Sequence, residues 1–111
     1  MKITLITAYN ISQVKNKIDY IYPEAGLHPS YQTKWVNNIK KSCVIFTYSE
    51  HIFYALRILS KNGIAEVNAI FYDDKDDIHN IKIDSYGGVD GYPRGFFDES
   101  DKSLDELIGL G

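Results

Sequence analysis

Residues 20–29, YIYPEAGLHP, change from an aromatic, apolar run to a loop that contains two prolines. Proline cannot donate a backbone hydrogen bond to a sheet, and it favours an extended conformation in the residue before it. We therefore expect a strand that ends at Tyr22. Pro29 comes just before Ser30, a residue type that often caps a helix. The stretch predicts a strand, a short loop and a helix, and in α/β proteins such loops lie at the edge of the sheet where ligands usually bind.

The same alternation of strand and helix continues on both sides of this stretch. Strands are predicted at Ile3–Ala8, Ile18–Tyr22 and Cys43–Thr47 because these runs are short, apolar and rich in β-branched residues. A helix is predicted over Tyr31–Lys41, with a buried stripe formed by Tyr31, Trp35, Val36 and Ile39. Asn10 follows the first strand and is of a residue type that tolerates left-handed backbone.

The second half of the chain predicts a helix and a hairpin. Residues 48–51 turn into a helix whose inner face is Ile52, Phe53, Leu56 and Leu59, and Asn62-Gly63 ends it. Two strands, Ala65–Tyr72 and Ile78–Ile83, flank the polar turn Asp73–Asp77. A short C-terminal helix is expected to bury Leu104, Leu107 and Ile108. The fold class is a single small α/β domain: a mixed sheet with parallel strands joined by helices, an antiparallel hairpin and a C-terminal helix.

Composition narrows the classes of function. The chain has 111 residues and a formal net charge of −3, which disfavours direct binding to nucleic acid or a membrane surface. Cys43 is the only cysteine and lies in an apolar run, so we expect it to be buried and unpaired. No segment has the pattern of a signal peptide or a membrane span, which predicts a cytoplasmic protein.

Four segments resemble motifs of a known family, in the family's order. They are a signature-like segment, residues 8–14 (AYNISQV), a Walker B and D-loop-like segment, 18–29, a switch-like segment, 47–51 (TYSEH), and a C-terminal element, 92–98 (YPRGFFD). The family patterns are G-F-G-x-S-Q-V, E-N-P-E-x-H-L-H-P, T-H-S-E-H and W-P-x-G-F-F-D. The chain thus resembles the C-terminal half of the ABC-like ATPase head of AAA-type proteins related to RecF, SMC proteins and the OLD nucleases.

The departures from these patterns remove the parts that handle phosphate. No G-x-x-x-x-G-K-[ST] loop occurs in the chain. Ile21 stands at the Walker B acid and Tyr48 at the switch histidine, while Ala8 and Asn10 replace the signature glycines. Phosphoryl transfer depends on such positioning and charge stabilisation. The resemblance therefore implies a degenerate ATPase-like fragment without enzyme activity and without a cofactor.

In the family, the signature, D-loop and switch segments face the other protomer, which implies an interaction edge here. Its candidates are Asn10, Ser12, Gln13, Tyr22, Glu24, His28, Tyr48, Glu50 and His51. Each has an alternative explanation. Glu24 is either a surviving catalytic or D-loop acid or a capping or solvated acid ahead of a helix, and Ser12 and Gln13 either face a partner's nucleotide or form a polar turn. His28 and His51 lack further ligands, and the Asp73–Asp77 turn lacks a calcium-loop pattern, so we assign no catalytic, cofactor or metal residue.

Three functions remain open. The first is a protein-interaction module that acts as a decoy or regulator of a full-length ATPase of the same family, for example a phage- or mobile-element-encoded regulator of a defence ATPase. The second is a small subunit that completes a composite ATPase site in trans through Ser12 and Glu24. The third is a decayed relic, which the intact hydrophobic pattern of every element disfavours.

Overall fold

The structure is a computed structural model, and it describes residues 1–97. Five strands and two helices make up the fold. The strands are β1 (Lys2–Ala8), β2 (Tyr20–Ile21), β3 (Cys43–Phe46), β4 (Glu66–Tyr72) and β5 (Ile78–Lys82), and the helices are α1 (Pro29–Asn37) and α2 (Glu50–Lys61). The predicted C-terminal helix and Asp98 lie outside the described residues. Within residues 1–97, no helix is both long enough and apolar enough to cross a membrane.

The strands form one mixed sheet in the order β2-β3-β1-β4-β5. The first four strands in this order are parallel, and β5 pairs antiparallel with β4. The predicted α/β fold class is confirmed: β2 and β3 are parallel neighbours joined through α1, and the hairpin extends the same sheet. Because the four parallel strands run in one direction, their carboxyl ends meet at one edge of the sheet. We call this side the carboxyl edge.

The main core lies between the sheet and the two helices. Alternate strand residues such as Ile3, Leu5 and Ile45 are fully buried there, as the two-residue period of a strand requires. The inner face of α2 supplies the four apolar side chains predicted for it. Cys43 is buried at the start of β3, also as predicted.

A smaller cluster occupies the other face of the sheet. It consists of Ile6, Ala8, Phe46 and Tyr72, and the segment between β1 and β2 covers it with Ile11, Val14 and Ile18, which are partly buried. Val44 and Ile70 of the same face are also only partly buried. Among residues 1–97, one face of the sheet therefore carries the helices, whereas the other carries the segment between β1 and β2.

The end of β2 differs from the prediction. The strand contains only Tyr20 and Ile21, and Tyr22 has a left-handed backbone with φ of 51° instead of an extended one. Its N–H still donates to the carbonyl of Phe46 at 2.9 Å. Left-handed backbone costs a non-glycine residue about 1–2 kcal/mol. The tertiary contacts of the Tyr22 ring override the local preference of a residue before proline.

Helix α1 also differs from the prediction at both ends. It begins at Pro29 with His28 as its cap, instead of at Tyr31 with Ser30 near the cap, and it ends at Asn37 instead of Lys41. Tyr31 is 56% exposed, so it does not belong to the buried stripe. Gln32 and Val36, one helical turn apart, are the buried pair. Trp35 and Ile39 are partly buried and pack against the core as predicted, so only Tyr31 of the predicted stripe is wrong, and the buried face includes the polar side chain of Gln32.

Asn10 does not use the left-handed conformation that its residue type tolerates. Its backbone is extended, with φ of −145°, and its side chain accepts a hydrogen bond from the N–H of Ser12. It thereby caps a short 3₁₀ helix, Ile11–Gln13. Asn10 therefore acts through its side chain as a helix cap, and its tolerance of left-handed backbone has no role here.

Candidate interaction edge

The loops that follow β1, β2, β3 and β4 all lie at the carboxyl edge, and the sequence-predicted site residues are on these loops or on the helix starts beside them. They fall into two groups. One joins the loops after β2 and β3 around Glu24 and Tyr48, and the other joins the loops after β1 and β4 around Gln13 and Asp73.

Glu24 connects the loop after β2 to the end of β3. One oxygen of its carboxylate accepts a hydrogen bond from the Thr47 hydroxyl at 2.7 Å, and the other accepts the N–H of Tyr48 at 3.2 Å. The Thr47 hydroxyl in turn accepts the N–H of Ser49 at 2.9 Å. Glu24 is thus neither a solvated acid nor a helix cap, because its oxygens fix the backbone of the switch-like segment.

The network continues into both helices through the side chains of Ser49 and Gln32, and Gln32 was not among the residues predicted for the site. Ser49 caps α2 by accepting the N–H of Ile52, and its hydroxyl donates to the side-chain oxygen of Gln32. The amide nitrogen of Gln32 donates to the carbonyl of Leu27 at 3.0 Å. The sequence signal for Gln32 was its position, since it lies four residues before the buried Val36. These bonds make the D-loop-like and switch-like segments one connected unit.

Two exposed tyrosines cover the end of β3. The rings of Tyr22 and Tyr48 stack with centroids 5.7 Å apart and an interplanar angle of 26°. Both meet the buried ring of Phe46 edge-on, at 5.5 and 5.2 Å. Tyr22 is 37% exposed and Tyr48 is 46% exposed. We call these two rings and Phe46 the aromatic cap.

The phenol of Tyr48 has a raised pKa. Partial burial, followed by the neighbouring Tyr22, raises its pKa above the usual range for tyrosine. A neutral hydroxyl can both donate and accept a hydrogen bond. The aromatic cap therefore offers two partly exposed rings, each with a hydroxyl group at its tip.

The histidines and Glu50 lie at helix starts. Nδ1 of His28 accepts the N–H of Ser30 at 3.2 Å and lies 2.9 Å from its hydroxyl oxygen, so this ring caps α1. Glu50 and His51 are the first two residues of α2, and His51 is exposed. In the part of the chain that the structure describes, no three His, Cys, Asp or Glu side chains come together as a metal site would require.

The signature-like segment is tied to the hairpin turn by Gln13. Its side-chain oxygen accepts the N–H of Asn10 at 2.9 Å, which completes a capping box. Its amide nitrogen donates to the carbonyl of Asp73 at 2.9 Å and to the carboxylate of Asp76. Ser12 lies exposed at the tip of this turn. Asn10 and Gln13 thus hold the loop in place, while Ser12 is presented outward.

Asp73 organises the hairpin turn from within. Its carboxylate accepts Nε2–H of His79 at 2.8 Å and the N–H groups of Lys75 and Asp77 at 2.8 and 2.9 Å. The bond from His79, followed by the two backbone bonds, lowers the pKa of Asp73 below its usual range. The cluster of acids is therefore the polar hairpin turn that the sequence predicted, and the carboxylates of Asp73 and Asp76 both have structural roles in it.

The C-terminal element packs onto the helix side of the fold through its two phenylalanines. Phe96 is fully buried, and the ring of Phe97 stacks on Phe53 of α2 with centroids 4.6 Å apart and 7° between the planes. Phe96 meets the same ring edge-on at 5.3 Å. Phe53 is therefore the centre of the cluster that anchors this element.

Gly95 brings the C-terminal element against the end of β1. It has a positive φ of 93°, and a Cβ added there would lie 2.5 Å from the hydroxyl oxygen of Tyr9. Arg57 of α2 holds the same region by donating to the carbonyl of Gly87 at 2.7 Å and to the hydroxyl of Tyr92 at 3.2 Å. Close approach and backbone conformation both demand glycine at this position.

Comparison with known families finds one match. The family described as "Protein of unknown function (DUF3696)" matches residues 67–107, which is about a third of the chain. The matched part includes most of β4, all of β5 and the C-terminal element at 92–98. No curated protein and no solved structure matches the chain.

Proposed function

We propose that the protein is a catalytically inactive, ATPase-like fragment that acts as a protein-interaction module through its carboxyl edge. The observation that carries this proposal is the aromatic cap, in which two large side chains stack over the end of β3 and remain more than a third exposed. Tyrosine is enriched at protein interfaces because its ring contributes contact area at a low cost in conformational entropy. Both rings also pack on the buried ring of Phe46, and side chains that are already ordered lose little conformational entropy on binding.

The bonding of Glu24 supports the absence of catalysis. Its carboxylate is engaged by Thr47 and by the backbone of Tyr48, so it stabilises loops instead of facing open space. By the resemblance, Ile21 stands where a magnesium-binding acid is expected and Tyr48 stands where a histidine senses phosphate. Without these charges and without a phosphate-binding loop, little remains to stabilise phosphoryl transfer.

The partner we propose is a full-length ATPase of the family that the chain resembles. In that family the matching loops face a second protomer. Here hydrogen bonds join the loops after β2 and β3 to each other. The family match over residues 67–107 includes the C-terminal element, one of the four segments that carry the resemblance. A fragment of this kind would occupy a dimer surface and act as a decoy or regulator, an inference from the fold by analogy.

The test uses a purified full-length ATPase of this family and measures its affinity for the protein by calorimetry. The double variant Tyr22→Ala/Tyr48→Ala should bind more weakly by about 2 kcal/mol or more. His28→Ala is unsuitable as a test because His28 caps α1. A matched control is Ile64→Ala/Tyr86→Ala, which removes two exposed large side chains from outside the carboxyl edge. If the folded tyrosine variant binds with unchanged affinity, the aromatic cap is not the interface.

The composite ATPase site is a second candidate because Ser12 is exposed at the edge, where a signature serine would reach a partner's nucleotide. In that case, mixing the protein with the ATPase would raise its turnover, and Ser12→Ala would remove the increase. The interaction module instead predicts unchanged or reduced turnover, with the same result for Ser12→Ala. Turnover in the mixture therefore separates the two candidates.

A further inference from the structure

A groove separate from the carboxyl edge lies between the edge strand β2 and the C-terminal end of α1. Its volume is about 500 Å³, and its lining is Tyr20, Trp35, Asn38, Ile39, Lys40 and Lys41. Tyr20 and Trp35 meet edge-to-face with centroids 5.2 Å apart. The groove thus combines two aromatic rings with two lysines on adjacent positions.

The charge of the chain is divided unevenly, and the groove lies in the basic part. The first 41 residues contain six lysines and two acids, whereas the remaining residues contain six basic and thirteen acidic side chains. The net charge of −3 conceals this asymmetry. One of the two acids, Asp19, uses its carboxylate to accept the N–H of Val44 at 2.7 Å. A marked charge difference between the parts of a chain is a sign of an anionic partner.

We propose that this groove binds a nucleobase together with its phosphate. Because the two rings are nearly perpendicular, a base would stack on the face of one and meet the other edge-on, while Lys40 and Lys41 would contact phosphate oxygens. Aromatic platforms beside lysines are the general means of binding single strands without regard to sequence. An acidic protein segment would satisfy the lysines but would leave the rings without a flat partner. The same chemistry is available from a single-stranded nucleic acid and from a free nucleotide.

Trp35 supplies a direct readout because it is the only tryptophan of the chain. Titration with a single-stranded oligodeoxyadenylate of about twelve nucleotides should quench its fluorescence in a saturable way, with a dissociation constant below about 100 μM at low salt. The logarithm of the affinity should fall with the logarithm of salt concentration, with a slope of roughly −1.4 for two phosphate contacts. No saturable change would overturn the proposal.

Three further titrants define what the groove recognises. AMP distinguishes a free nucleotide from a strand, and two polyanions test whether charge alone is sufficient. AMP that quenches as strongly as the oligonucleotide would point to a free nucleotide, and a clear preference for the oligonucleotide would point to a strand. Inorganic polyphosphate has charge without a base, and polyglutamate represents an acidic protein segment. Each polyanion is compared, as a competitor, with an excess of a second oligonucleotide. If polyphosphate or polyglutamate displaces the bound oligonucleotide equally well, the site recognises charge alone, and the proposal is wrong.

Variants assign the binding to the groove. Lys40→Ala/Lys41→Ala should weaken oligonucleotide binding at least tenfold. Lys61→Ala/Lys82→Ala removes the same charge from α2 and β5 and should change the affinity less than twofold. Tyr20→Leu keeps apolar bulk but removes a stacking ring, so it should also weaken binding, with Trp35 fluorescence and thermal melting confirming that it folds. Equal losses in the two lysine pairs would overturn the proposal.

Discussion

The carboxylate of Glu24 accepts a hydrogen bond from the hydroxyl of Thr47 at 2.7 Å, although the two residues are 23 positions apart in the chain. Thr47 is fully buried. A buried hydroxyl that loses its partner must be desolvated without compensation. The bond therefore joins the loop after β2 to the end of β3, and it gives Glu24 a structural role.

Glu24→Ala should lower the free energy of unfolding by about 1.5–3 kcal/mol, the range for hydrogen bonds to charged groups. Glu24→Gln should lower it less, because the amide oxygen can still accept from Thr47. Urea denaturation measures both, and Asp90→Ala, which removes an exposed acid elsewhere, serves as the control. A Glu24→Ala protein as stable as the wild type would show that the carboxylate is not needed for folding.

The two phenylalanines of the C-terminal element should differ in their effect on stability. Phe96 has no exposed surface, so Phe96→Ala should cost roughly 3–5 kcal/mol. Phe97 is only partly buried, and Phe97→Ala should cost less, mainly through its lost stacking on Phe53. Tyr86→Ala, at a residue that is 84% exposed, should leave the melting temperature almost unchanged. Equal melting temperatures for the Phe96 variant and the wild type would contradict the described packing.

Gly95→Ala should destabilise the protein for two separable reasons. The positive φ costs an alanine about 1 kcal/mol or more, and its Cβ would also meet the Tyr9 hydroxyl. In a Tyr9→Ala background only the backbone cost remains, so the loss on Gly95→Ala should be smaller there. A double-mutant cycle of unfolding free energies measures this coupling. An additive cycle would mean that Tyr9 does not press on this position.

Elements with a clear apolar pattern were predictable from the sequence. Strands β1 and β3 follow from short apolar runs rich in β-branched residues, helix α2 from an apolar period of about 3.6 residues, and the hairpin from two strand-like runs around a polar turn. The end of β2 was not predictable from the sequence. The preference of a residue before proline for extended backbone competes there with the contacts of the Tyr22 ring on Phe46. The start of α1 shifted because the His28 side chain caps the helix. At Tyr22, a contact with a residue that is distant in the chain outweighs the local backbone preference.

The candidate site was predictable in position but not in bonding. The sequence places the motif residues at strand ends, and parallel strands bring those ends together. It does not reveal which polar groups pair, since Glu24 with Thr47 and Ser49 with Gln32 depend on how separate loops converge. Gln32 and Thr47 were missed for this reason.

The last prediction concerns acid stability at the hairpin turn. The pKa of Asp73 is lowered in the folded protein by its bond from His79, so its contribution is complete above the unfolded-state pKa and is lost as the pH falls through the lower folded value. The stability advantage of the wild type over Asp73→Asn should therefore shrink as the pH falls from about 5 to about 2. Thermal melts across this range measure it. Asp74→Asn, which changes an exposed acid of the same turn, should show a smaller pH-dependent difference from the wild type. If the advantage over Asp73→Asn is the same at both ends of the range, the Asp73 carboxylate is not held by His79 in solution.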